Sequence, residues 1–379
     1  MSTAQISSLS EAVDFFTATM RSHPERDELT ARQAAIAGQH RRHPVFTMLH
    51  LIDPLDVSVA VRHFMPPEVS MPDGIEAGLA REIIGMLEPL DMLNPVSPAF
   101  LLGRGTGTLA PAFGIPLAAD KGDSPAFVRP LDEVLQDPPP DPLTAGLMPD
   151  MTERIRMIKE YLPPSFKIGL PNMQGPFNLA QAVVGEEVMI APITNPDKFH
   201  QLMSRITDFW IDNRRALLGL IGADYTNPID PPPHISDCSA NLVSADFYCD
   251  YILPYDRQIT DALGPAHMHP CSGPHVFHAT IDNLPLLATE AGFIAQPTSG
   301  AIAVDEAMAA IGDRPIVLYI GQELPDGQEY EAVRRDLDLY ERTPRLVFAY
   351  TGMHWRKKDR PAMREIHQRL DEYWAGRYG

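Results

Sequence analysis

The sequence predicts an α/β chain folded as a (β/α)8 TIM barrel with a helical N-terminal extension. Three observations carry this. Short apolar runs ending in Gly, Pro or polar residues occur eight times: 44–49, 99–103, 166–170, 233–238, 265–271, 292–297, 315–321 and 345–350. Between many of them, stretches such as 195–220 and 244–264 repeat apolar residues every three or four positions. The chain has 379 residues, 44% hydrophobic and 21% charged, enough to bury one large core. Buried runs alternating with helices imply a parallel sheet covered by helices, and eight of them imply a closed barrel. One domain over 1–379 is expected, with 1–43 as the extension.

Taken in order, residues 7–40 read as helical, with Ser8 and Ser10 as candidate N-caps. GRGTGTLAPAFG (103–114) has the spacing G-x-G-x-G, which does not match a dinucleotide-binding turn. It reads as a loop over a pocket or as a phosphate cradle. QDPPPDPLTAG (136–146) reads as a stiff surface connection. At the C-terminus, KKDRPAMREIHQRLDEYWAGRYG reads as an amphipathic closing helix. Arg364, Glu365 and Arg369 mark its wet face, and Met363, Ile366, Leu370 and Trp374 its buried one.

A formal charge of −19 argues against nucleic acid and anionic membrane as partners, since both select a basic surface. Three cysteines are too few for a disulfide framework, so free thiols in a reducing cytoplasm are expected. The N-terminus shows no basic segment followed by an apolar one, and no apolar run is long enough to span a bilayer. A cytoplasmic location is the expectation.

Barrel chemistry gathers at the C-terminal ends of the strands. There GPAHMHPCSG (264–273) delivers His269 and Cys271, beside Asp237 and Cys238 from the preceding run. Alternate residues of an extended chain share a side, so His269 and Cys271 point together, with His267 one step deeper. Imidazole and thiolate suit zinc. The same spacing also fits the polar end of a buried strand, and needs context. Asp237 reads as a general base, as a substrate-orienting group, or as a cap on a neighbouring loop. Gln296, Gln322 and Glu323 follow later runs and would line the mouth. Asn172, Gln174 and Asn178 flank the PNMQGPFN loop, and His275 and His278 continue beyond the His-x-Cys pair. No G-x-S-x-G elbow occurs.

The context is a family resemblance. GPFNLAQAVVGEEVMIAPITNPDKFHQLMSRITDFW (175–210) resembles the GPFTLA-type segment of the uroporphyrinogen decarboxylase superfamily. HISDCSANLVSADFYCDYILPYDRQITDALG (234–264) resembles its acidic strand end and the S-P-E-x-F…PY helix that follows. AHMHPCSG falls where the cobamide-dependent methyltransferase branch carries H-x-C-G. The R-Q-A-G-R-Y segment of true decarboxylases has no match: RQAAIAGQHRR (32–42) lacks that order. The resemblance implies a single barrel in which zinc, held by His269, Cys271 and a distant cysteine, activates a thiol toward methylcobalamin. Met353 stands where that cysteine is expected, so Cys238 or His354 completes the set, or the metal has been lost. Cys-Ser-Gly also replaces the family's Cys-Gly. The expected reaction is methyl transfer between a corrinoid and a small thiol or pterin acceptor, with Asp237 orienting the substrate. No D-x-H-x-x-G segment is present, so the corrinoid comes from a separate corrinoid protein or as free methylcobalamin. The alternatives are decarboxylation of a small carboxylate and a non-catalytic ligand-binding barrel.

Overall fold

A computed structural model describes residues 6, 8–24, 26–27, 47–49, 75–87, 99–102, 105–118, 125–227, 230–270, 273–291, 302–320 and 346–351, with 331, 334, 365, 368, 369 and 372. In chain order its elements begin with α1 (Leu9–Ser22), β1 (Thr47–Leu49), α2 (Ile75–Gly85), β2 (Ala99–Leu101), α3 (Leu131–Gln136), α4 (Met148–Tyr161) and β3 (Lys167–Gly169). They continue with α5 (Pro176–Val184), α6 (Glu187–Thr194), α7 (Pro196–Ile221), β4 (His234–Ser236), α8 (Leu253–Leu263), β5 (Ala266–His269) and α9 (Pro274–Asn283). The last are β6 (Leu286–Ala291), α10 (Val304–Ile311), β7 (Val317–Ile320) and β8 (Leu346–Thr351).

Two compact units divide the chain: 1–98 with 320–379, and 99–319. In the first, α1 packs on α2, and β1 pairs with β8 in parallel. Ser8 caps α1, its Oγ accepting from the Glu11 amide at 3.2 Å. Of the expected C-terminal helix, residues 365, 368, 369 and 372 are described, all helical.

In the second unit the strands are parallel and adjacent in chain order. β2 pairs with β3. Beside β3, the Ile168 amide donates to Tyr225 O at 2.7 Å, and Ile168 O accepts from the Asn227 amide at 3.2 Å. β4 pairs with β5, and β5 with β6. Single strands joined by helices give this order. The run expected at 292–297 lies outside the described residues, and β6 just before it is a strand that the sequence reading did not name. The strand is LLATEA, where Leu286, Ala288 and Thr289 are buried and Leu287 is exposed. Its Thr and Glu interrupt the apolar run that the eye looks for.

The long helix α7 organises the region under the site. Phe199, Leu202, Met203, Ile206, Phe209, Trp210, Leu217 and Ile221 recur on its buried face. Trp210 Nε1 donates to Gln174 O at 3.0 Å, fixing the loop after β3. Arg214, 3% exposed, donates to the carbonyls of Asp230 and Pro232, clamping the proline segment that enters β4. Burial drives its guanidinium down to about 10.

Candidate functional site

The loop after β4 works as a wedge between its two neighbours. On one side, Asp237 reaches the loop that enters α5. Its Oδ1 accepts from the Asn178 amide at 3.0 Å, and the Phe177 amide also favours its charged form. Gly175 must lack a side chain, because a Cβ there would overlap the Asp237 carboxylate. Asp237 is 0% exposed, so the strand-end aspartate is a buried cap on a helix N-terminus. On the other side, Asn241 Nδ2 donates to Pro270 O at 2.6 Å. Both residues flank the 3₁₀ turn Cys238–Leu242.

Asp237 has a partner that the sequence did not announce. The chain enters α8 through a turn at Ala245–Phe247 and a π-helical turn at Tyr248–Ile252. The wider π turn lets Tyr248 and Asp256 meet, with Tyr248 Oη donating to Asp256 Oδ2 at 2.7 Å. The Asp256 carboxyl lies beside that of Asp237. Burial raises both above the ordinary aspartate range, and the Asp237 charge pushes Asp256 well beyond it. Of the two, Asp256 is the one pushed further toward the protonated form.

At the end of β5, His269 Nδ1 donates to Glu290 Oε2 on β6. Desolvation by the surrounding protein pushes the imidazole down to about 4, which favours its neutral form. Carrying its proton on Nδ1, it presents Nε2 as the lone-pair nitrogen. His234 stacks on His269 at 6.2 Å between centroids. His234 is exposed at the start of β4. Desolvation by the surrounding protein, with His269, His267 and Arg214 nearby, keeps His234 neutral; burial and Arg214 do the same for His267.

The remaining expected residues divide clearly. Asn178 joins the wedge: Nδ2 donates to Gln174 Oε1, and Oδ1 accepts from the Ser239 amide at 2.7 Å. Gln174 holds a left-handed backbone, φ +59°, and its amide donates to exposed Asn172 Oδ1 at 3.0 Å. His275 Nε2 donates to Val243 O at 3.0 Å, and His278 Nε2 to Glu306 Oε1 at 3.1 Å. Cys271, Gln296, Gln322, Glu323, Met353 and His354 lie outside the described residues. Cys238 corrects the expectation of free thiols: it is disulfide-bonded. Cys249 is a free thiol.

Zinc requires neutral imidazole and deprotonated thiolate. His269 fits that demand, whereas Cys238 fits it only after reduction. Among the described residues no group of three His, Cys, Asp or Glu is placed to hold a metal ion, and no helix is long and apolar enough to cross a membrane.

The family model described as uroporphyrinogen decarboxylase (URO-D) matches residues 101–318, more than half of the chain. The chain belongs to the URO-D family. Within it, the chain is similar to the methylcobamide:CoM methyltransferase MtbA of Methanosarcina mazei, 35% identical over 92 residues, covering 24% of this chain and 25% of the relative. The MtbA of Methanosarcina acetivorans is 30% identical over 121 residues, covering 32% and 34%. The chain thus matches about a quarter to a third of these relatives' length. A solved methyltransferase from Methanosarcina mazei shares the fold, with TM-score 0.59 at 15% identity, covering 90% of this chain and 98% of that one.

Sequence reasoning about this URO-D chain missed Glu290, Asp256, Tyr248 and Asn241. Glu290 was findable: shifting the strand to LLATEA places it beside the strand end. Asp256 had no sequence signal, since its pairing depends on the π turn.

Proposed function

We propose that this chain is a methyltransferase that moves a methyl group between a corrinoid and a small thiol or pterin acceptor. The parallel strand order supports a (β/α)8 barrel, with the reaction at the ends of β4, β5 and β6. The observation that carries this reading is His269, a half-buried imidazole held by Glu290 at the end of β5. It occupies the histidine of the His-x-Cys pair in a chain similar to cobamide methyltransferases.

Zinc held by His269 and Cys271, with reduced Cys238 or His354 completing the set, would supply a lowered thiol pKa in the acceptor. In the transfer, sulfur forms the new bond to carbon while the cobalt–carbon bond breaks, its electron pair staying on cobalt. The thiol proton leaves to solvent. Asp237, locked on the α5 N-terminus, positions the turn that carries Cys238. Glu290 fixes the His269 tautomer. A corrinoid protein or free methylcobalamin serves as the methyl partner.

Decarboxylation of a small carboxylate would call for cationic groups at the strand ends. The described ends of β4, β5 and β6 offer Asp237, His269 and Glu290 instead.

Elemental mass spectrometry on the reduced, chelator-free protein tests the zinc part. Near-stoichiometric zinc, lost in His269→Ala and Cys271→Ser, is expected. A metal-free wild type would remove thiol activation by zinc and leave the pterin acceptor.

A further inference from the structure

Gln174, in the loop after β3, is held at every polar atom but one. Among the described residues it is the one non-glycine with a left-handed backbone, φ +59°, a conformation that carries strain. Its amide donates to Asn172 Oδ1 at 3.0 Å, and its carbonyl accepts from Trp210 Nε1 at 3.0 Å. The carboxamide has one orientation. A backbone N–H can only donate, so the Ser239 amide, at 2.7 Å, fixes which end of Asn178 is Oδ1. Asn178 Nδ2 must then donate to Gln174 Oε1. That leaves Gln174 Nε2, a donor on a half-buried side chain, unengaged among the described residues. The next amide, Gly175, donates to Ser236 O at 2.7 Å, and Ser236 stands in register with His269. Neighbouring strands lie about 4.8 Å apart, so Gln174 stands roughly 10 Å from His269, across the end of β4.

We propose that Gln174 is a substrate-binding residue that donates, through Nε2, to a ring nitrogen or carbonyl of a pterin acceptor. The span selects that class. The fused rings of a pterin carry acceptor atoms well away from the nitrogen that takes the methyl group. A small thiol bound near His269 would end short of Gln174. The three anchors hold the donor in place before substrate arrives, so less freedom is lost on binding. This role rests on the methyl transfer proposed above and chooses between its two acceptors.

The test is isothermal titration calorimetry of the reduced full chain with tetrahydrofolate, without corrinoid and without air. Gln174→Glu keeps the shape and the acceptor for Asn178 but removes the donor. Gln174→Met removes both. Losing one hydrogen bond should raise Kd about fivefold in Gln174→Met, and about tenfold or more in Gln174→Glu, whose carboxylate would face the same acceptor. A merely structural role would rank the two the other way, because only Gln174→Met breaks the bond from Asn178. Should the methionine variant fail to fold, the glutamate variant carries the test. An unchanged Kd in folded Gln174→Glu overturns the proposal, as does weaker binding by Gln174→Met than by Gln174→Glu. A wild type that binds no tetrahydrofolate also overturns it, while leaving methyl transfer to a thiol standing. Binding that depends on Gln174 stands in turn even where no methyl transfer is found.

Discussion

Two helices of this protein start alike. Gly175-Pro176 opens α5 and Gly273-Pro274 opens α9, and at each a polar side chain from the loop after β4 occupies the space a Cβ would need. At α5 that side chain is Asp237, whose Oδ1 accepts from the Asn178 amide and whose carboxyl lies beside that of Asp256. At α9 it is Asn241, which spends its donor on Pro270 and leaves its acceptor unmatched. The first junction is built on a carboxylate, the second on an amide, and each leaves one oxygen of its side chain buried without a hydrogen-bond partner. The second adjoins the strand end that carries His269.

Breaking the carboxylate side should cost most. Asp237→Ala removes a buried cap and leaves amides unmatched, so urea unfolding should show a loss of about 2–4 kcal/mol. Gly175→Ala and Gly273→Ala should each cost about 1–3 kcal/mol by overpacking. They separate in double variants. Asn241→Ala should recover about 1 kcal/mol of the Gly273→Ala loss, the positive φ keeping the rest. No recovery would mean that Asn241 yields to a Cβ without strain.

The proton on Asp256 sharpens the contrast through pH. Its carboxyl is raised in the fold, so the native state binds a proton that the unfolded chain releases above the usual aspartate range. That contribution is fully present in acid and is lost as pH rises toward the folded pKa. Asparagine at this position can still donate to Asp237 and accept from Tyr248. Thermal unfolding between pH 5 and 8 should therefore show Asp256→Asn gaining on the wild type as pH rises. A gap constant with pH would mean that the pair carries no proton. The smallest effect is expected from Tyr248→Phe, about 1 kcal/mol for one hydrogen bond.

The alternation of apolar runs with helices was legible in the sequence because each strand is short and buried, as Ile168, Ile235 and Met268 are. Ser8 and the buried face of α7 followed from local rules. The site was legible only in part. Asp237 and His269 stand at strand ends where periodicity put them, yet the partners that define them come from elsewhere. Glu290 hid in a strand with polar letters, Asp256 reaches Asp237 only through a π turn, and Asn241 reads as an ordinary loop residue until Gly273 is seen against it. Periodicity reports which face is buried. It does not report which loops meet.

The central claim, methyl transfer at the His269 end of β5, is tested most directly by mixing the reduced full chain with methylcobalamin and a panel of small thiols and pterins. Absorbance then follows loss of the cobalt–carbon bond, and mass spectrometry the methylated acceptor. The account predicts acceptor-dependent demethylation in the wild type that is abolished in His269→Ala and kept in His278→Ala. Turnover that survives in His269→Ala, or a wild type that methylates no thiol or pterin, would contradict it.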